Sequence, residues 1–152
     1  MVLKNCKNLK LCILIPMYNE ENIVKKSLDT IIKYIDELRD IVDIVVVNDG
    51  SNDSSINIVK QIIDQQKTVK IILISHETNK GYGTALKTGI NHALLQNYDY
   101  IMFMDSDLTN HPKYLKSFID KMTDGYDYIK ATRYDKGGKM TGVPLRSRLL
   151  SK

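Results

Sequence analysis

One stretch constrains the fold more than any other. Tyr100-Ile101-Met102-Phe103-Met104 is an unbroken apolar run that stops abruptly at Asp105-Ser106-Asp107, two carboxylates separated by one small residue. An apolar run that does not alternate suits a central parallel strand, covered on both faces. Carboxylates at the carboxyl end of such a strand sit where open α/β sheets bind ligands. Two acids that close repel each other unless a cation is shared, and oxygen donors suit Mg²⁺ or Mn²⁺. The chemistry to expect is a divalent ion clamping a diphosphate. Taken alone, Asp-x-Asp reads more simply as a polar strand end with a helix cap, so the rest of the chain decides.

The rest of the chain repeats the pattern. Leu11-Cys12-Ile13-Leu14-Ile15 is a first strand closed by Pro16, followed by the polar turn 16–22 and a helix with Val24, Leu28, Ile31, Ile35 and Leu38 on one face. That helix is expected to begin with an acidic first turn, as its dipole prefers. Asp43 to Asn48 is a second, β-branched strand, and Asn48 to Ser55 is rich in turn formers and caps before the helix marked by Ile58, Val59, Ile62 and Ile63. Val69 to Ser75 is a third strand, the loop 76–83 leads to a helix carrying Ala85, Leu86, Ile90, Ala93 and Leu94, and the acid-tipped strand comes fourth. Pro112 starts a fourth helix, Gly125 ends it, and Tyr126 to Ala131 is expected to be a fifth strand. Strands and helices that alternate with short connections require a mainly parallel sheet with right-handed crossovers, a Rossmann-like α/β sandwich. After Tyr134 the pattern lapses into a Gly- and Lys-rich loop and a basic tail, so the expectation is a single domain over 1–152, truncated at its C-terminal side.

Composition narrows the class. At 152 residues, 43% hydrophobic and 26% charged, the chain has enough interior for one core. The net charge of +4 is mild, and the basic excess lies in the last twenty residues, where a solvated basic end is a commoner reading than one that meets phosphate or an anionic surface; no nucleic-acid partner is expected. Cys6 and Cys12 give no disulfide framework and point to a reducing compartment. The N-terminus has no long apolar core, hence no signal peptide or transmembrane helix is expected, and the three histidines lack zinc-ligand spacing.

Four loops share the carboxyl edge: 16–22, 48–54, 76–83 and the Asp105 turn. The first lacks the glycines of a dinucleotide fingerprint, Gly81-Tyr82-Gly83 does not complete one, and no Walker lysine motif is present. Acids without a phosphate-cradling loop suggest that carboxylates recognise ribose or base while a metal handles the diphosphate. Asp49 is the best candidate for base or ribose.

Ile15-Pro16-Met17-Tyr18-Asn19-Glu20, Asn48-Asp49-Gly50-Ser51, Lys80-Gly81-Tyr82-Gly83-Thr84-Ala85, Asp105-Ser106-Asp107-Leu108 and Thr132-Arg133-Tyr134 resemble, in order and spacing, the successive motifs of family 2 glycosyltransferases of the GT-A fold. Within that family they look most like polyprenyl-phosphate (dolichol-phosphate) mannose or glucose synthases. The resemblance covers residues 11 to 151. It implies that Pro16, Tyr18, Glu20, Asp49, Lys80, Gly81, Asp105 and Ser106 bind the nucleotide sugar, and that Asp105 and Asp107 hold Mg²⁺ or Mn²⁺. Arg133, with Arg146, Arg148 and Ser151, falls where the family binds the phosphate of a lipid acceptor; the basic residue expected four positions before that serine is Ser147.

The implied reaction is inverting transfer of a hexose from a UDP- or GDP-linked sugar to a polyprenyl phosphate, catalysed around Asp105, Asp107 and Arg133 at the cytoplasmic face of a membrane. A phosphate acceptor is already largely dianionic near pH 7, its second pKa being about 6, so it needs no general base. The alternatives are an inactive nucleotide-sugar-binding module and a family 2 transferase acting on a sugar hydroxyl. A nucleotidyltransferase is disfavoured by the missing glycine-rich first loop. Donor base, sugar, acceptor and oligomeric state are not written in the sequence.

Overall fold

A computed structural model describes residues 9–108 and 110–131. Four parallel strands, β1 (Leu11–Met17), β2 (Val42–Asn48), β3 (Ile71–Ser75) and β4 (Tyr100–Phe103), form one sheet in the order β3-β2-β1-β4. Between them run α1 (Val24–Ile35), α2 (Ser55–Gln65) and α3 (Tyr82–Leu95), and after β4 a 3-10 turn at Pro112–Tyr114 leads into α4 (Leu115–Thr123). The chain steps outward from β1 to β3 and then returns past β1 to β4. Right-handed crossovers therefore put α1 and α2 on one face and α3 on the other.

Alternation along the strands builds both cores. Leu11, Ile13, Ile15, Ile44 and Val46 point to the face of α1, α2 and α4, where Leu28, Ile31, Val59 and Ile119 are buried with them. Cys12, Leu14, Val45 and Val47 point to α3, where Ala85 and Ala93 meet them. α3 lies so close to β1 that a Cβ on Gly89 would stand 2.1 Å from a Leu14 methyl. Full burial drives the Cys12 thiol up to about 12, with Asp43 adding to the effect.

The structure corrects four expectations. Pro16 lies inside β1, opposite Val47, instead of closing the strand. Pairing with β4 extends only to Leu14, so the proline sits where β1 has one neighbour, and a missing N–H is tolerated there. β4 is the edge of the described sheet, with Phe103 49% exposed, so its apolar run does not mark a centre; β1 holds that place. Tyr126 to Ala131 forms no strand. Only Ile129 of that segment is drawn toward the core, and a cavity of about 440 Å³ separates it from β4. Glu20 and Glu21 precede α1, whose first turn holds no acid; the Glu20 carbonyl instead accepts the N–H groups of Ile23 and Val24. Pro112 and Gly125 do bracket the last helical segment, Gly125 with φ +89°.

Candidate functional site

All four strands end at one edge, and a cavity of about 330 Å³ opens there. Pro16, Met17, Tyr18 and Glu20 line it from the end of β1, and Asp49 from the end of β2. Asn79, Tyr82 and Ala85 contribute from the start of α3 and its approach, and Asp105, Ser106 and Asp107 from the turn after β4. β2 and β4 flank β1, so the acids leave strands two positions apart, roughly 10 Å at ordinary strand spacing.

The β1 and β2 loops are tied to each other. The Asn19 N–H donates to Ser51 Oγ (2.9 Å), and the Asn52 N–H returns a bond to Asn19 Oδ1 (2.9 Å). The Glu20 N–H donates to Ser55 Oγ (2.8 Å), the Glu21 N–H to Asp53 Oδ2 (3.1 Å), and the Ser54 N–H to Glu21 Oε2 (2.9 Å). Asn19 takes φ +54° to make this fit, a conformation asparagine tolerates better than most residues. Burial works against ionisation of Asp53, but bonds from Ser55 and Glu21 outweigh it and hold the carboxyl below its usual range.

Asp49 is held just as firmly. Its backbone N–H bonds the Met17 carbonyl (2.8 Å), and its Oδ1 accepts the Lys80 N–H (2.9 Å) and lies 2.6 Å from His76 Nδ1. The two side chains are 4% and 8% exposed. Burial pushes the carboxyl up, yet bonds from His76 and from the backbone at Lys80 and Gly81 outweigh it, so Asp49 is an anion at neutral pH. Gly50 next to it has φ +71°, and a Cβ there would stand 2.3 Å from the Thr78 carbonyl carbon, so only glycine lets the third loop close over the second.

At the β4 end, Asp105 Oδ2 accepts a bond from Asn110 Nδ2 (3.0 Å), Ser106 is buried, and Asp107 is exposed. Asp105 also stands close enough to Tyr82 to help burial raise that phenol's pKa. Among the described residues no group of three His, Cys, Asp or Glu converges on one point. Two hard carboxylates at the mouth of a cavity nonetheless fit Mg²⁺ or Mn²⁺, since such an ion commonly takes one or two protein carboxylates and completes its shell with substrate phosphates and water.

The structure thus brings Pro16, Tyr18, Glu20, Asp49, Asp105, Ser106 and Asp107 to one cavity. Lys80 and Gly81 stand behind it, Lys80 acting through its N–H on Asp49 and Gly81 as the N-cap of α3 with φ +90°. Arg133, Arg146, Arg148 and Ser151, and Thr109 beside the acid turn, lie outside the described residues. Asn19, Ser51, Ser55 and His76 escaped the sequence reading. The first three carry a local signal, being cap-forming residues in facing turns; a single histidine carries none.

Residues 12–151 match the model of glycosyl transferase family 2. An uncharacterised glycosyltransferase of Synechocystis is 33% identical over 132 residues, which are 86% of this chain and 40% of that protein. An undecaprenyl-phosphate 4-deoxy-4-formamido-L-arabinose transferase of Edwardsiella ictaluri is 28% identical, over 82% of this chain and 37% of its own length. The chain therefore spans about two fifths of the length of these relatives. Among solved structures, a Pyrobaculum calidifontis mannosyltransferase in complex with GDP-Man and Mn²⁺ superposes with a TM-score of 0.65 at 24% identity, over 73% of this chain and 31% of that one, a likeness that establishes the GT-A fold. Sequence match and fold agree, and the chain belongs to glycosyl transferase family 2.

Proposed function

We propose that this protein transfers a hexose from a nucleoside diphosphate sugar to a polyprenyl phosphate, with inversion at the anomeric carbon. The observation that carries the reading is the single cavity with a buried, ionised Asp49 on one side of β1 and the Asp105-Ser106-Asp107 turn on the other. That separation suits a nucleoside lying across the end of β1, its base toward Asp49 and its diphosphate toward β4. The Edwardsiella relative, named for an undecaprenyl-phosphate substrate, supports the lipid acceptor.

Each described residue has a task in this reading. Asp49 accepts a base N–H, and Pro16 and Tyr18 form the wall against which the nucleoside lies. Asp105 and Asp107 hold the divalent ion, and the Asn110 amide keeps the Asp105 carboxylate oriented. When bound, Mg²⁺ or Mn²⁺ supplies positive charge to the leaving diphosphate. The acceptor phosphate oxygen attacks the face of the sugar opposite that diphosphate, through a transition state with oxocarbenium character, and forms a glycosyl phosphate. As a dianion it needs no base from the protein, and Arg133, Arg146 and Arg148 are the proposed partners of its charge because the guanidinium fork matches phosphate.

The test is a transfer assay pairing UDP-glucose or GDP-mannose with undecaprenyl phosphate and Mn²⁺, with the lipid product read by mass spectrometry. A lipid-linked hexose that disappears in Asp107→Asn supports the reading. Nucleotide binding without product from any lipid phosphate, or product only on a sugar hydroxyl, overturns it.

A further inference from the structure

Asp49 lines the cavity with one of its two oxygens already engaged. A carboxylate oxygen has about two lone-pair sites. Oδ1 has spent both, one on the Lys80 N–H at 2.9 Å and one on His76 Nδ1 at 2.6 Å. Oδ2 receives no side-chain hydrogen bond from the described residues, and even with the Gly81 N–H reaching the carboxyl it keeps a lone-pair site for a ligand. The histidine is itself pinned from behind, since its Nε2 lies 2.9 Å from Thr88 Oγ1 on α3. Because Asp49 is an anion, Nδ1 carries the proton that it donates to Oδ1, and the Thr88 hydroxyl partners Nε2 on the other side of the ring. Thr88, His76 and Asp49 form a relay that reaches from a helix across the end of the sheet and fixes which oxygen the ligand meets.

A single free oxygen discriminates among bases. Guanine presents a ring N–H beside an exocyclic amine, a pair of donors that calls for both oxygens of a carboxylate. Uracil and thymine present one imide N–H between two carbonyls, which calls for one. Cytosine offers a bare ring nitrogen at that position, which a carboxylate repels. We infer that His76 is the positioning residue that makes Asp49 a one-oxygen acceptor, and that the donor nucleotide of this protein carries a uracil-type base. This rests on the proposed nucleotide-sugar site and adds to it the base class and a residue that never touches the ligand.

Binding of UDP, dTDP, GDP and CDP, each with Mn²⁺, to the whole chain by titration calorimetry tests it. An amine left unpaired in a desolvated site weakens binding by at least about tenfold, so UDP or dTDP should exceed GDP by that factor. CDP, which matches UDP in size, should fall with GDP; that arm separates donor pattern from cavity volume. His76→Ala frees a lone pair on Oδ1 and should shrink the UDP-to-GDP ratio to within about threefold, a change that loss of structure alone would not produce. Should His76→Ala fail to fold, Thr88→Val releases the ring from behind and should move the ratio in the same direction. GDP or CDP binding as tightly as UDP overturns the base assignment while leaving the transferase reading intact. A ratio unchanged in both folded variants overturns the role of His76, and failure of all four nucleotides to bind overturns the site itself.

Discussion

β2 carries an aspartate near each end, and the two have opposite fates. Asp43, at the amino edge, is paired with a cation: its Oδ2 accepts the Tyr98 hydroxyl at 2.5 Å and lies 3.3 Å from Lys70 Nζ, and burial together with Asp43 raises the Tyr98 pKa. Asp49, at the carboxyl edge, has His76 and the Lys80 N–H on Oδ1. The first is finished by side chains from the approaches to β3 and β4. The second is finished by a histidine and a backbone N–H, and the cavity it lines also holds Asp105 and Asp107. Both acids carry their partners on one oxygen, so what separates them is the partner and the edge: Asp43 pairs with the Lys70 cation, and Asp49 sits beside the cavity that Asp105 and Asp107 share. Sheet polarity explains the placement, because loops that enter helix N-termini gather only at the carboxyl edge.

The largest effect should come from the turn that shares the cavity with Asp49: Asp107→Asn is expected to lower hexosyl transfer about 10²–10³-fold, read in the lipid-product assay, with little change in unfolding temperature. The pair itself comes next. Asp49→Asn should weaken nucleotide binding by about tenfold or more, whereas Asp43→Asn should leave binding unchanged and lower stability by about 1–2 kcal/mol, measured by calorimetry and urea unfolding. Equal losses of binding in both would erase the contrast. Gly50→Ala should cost about 1–3 kcal/mol through strain at a positive φ, and more where its Cβ meets Thr78, with nucleotide affinity falling in step.

Acid titration sharpens the contrast further. The folded pKa of Asp49 lies below its ordinary value of 3.8, so the stability it contributes is fully present above that value and is lost as pH falls through the depressed one. The stability gap between wild type and Asp49→Asn should therefore be constant near neutrality and close as the pH drops below 3.8. An acid limb persists in the variant, since Asp53 is shifted the same way. The smallest effect belongs to Cys12, near the Asp43 end: with its thiol pushed to about 12, it should resist iodoacetamide at pH 8 in the folded chain and react on unfolding, read on its tryptic peptide.

The strands were legible because apolar runs between turn formers leave few other readings, and the alternating order fixed the parallel sheet. The place of each strand was not. β1 and β4 are both continuous apolar runs, yet one is the buried centre and the other the described edge, because coverage depends on which segments pack alongside and not on the run itself. Pro16 misled for a related reason, since its tolerance rests on how far a neighbouring strand extends. The acids of the site were legible from spacing along the chain. The bonds that orient them were not, since Asn19 meets Ser51 across 32 residues and His76 meets Asp49 across 27. A histidine read only against zinc-ligand spacing carries no hint of a carboxylate partner.

The five bonds between the β1 and β2 loops have a consequence for how a ligand is received. Two loops that exchange backbone and side-chain bonds in both directions open together or not at all, so their amides should form one unit of hydrogen exchange. A nucleoside that arrives against such a wall has little chain left to immobilise, and more of its contact energy survives as affinity. On this side of the cavity, recognition is settled before the encounter.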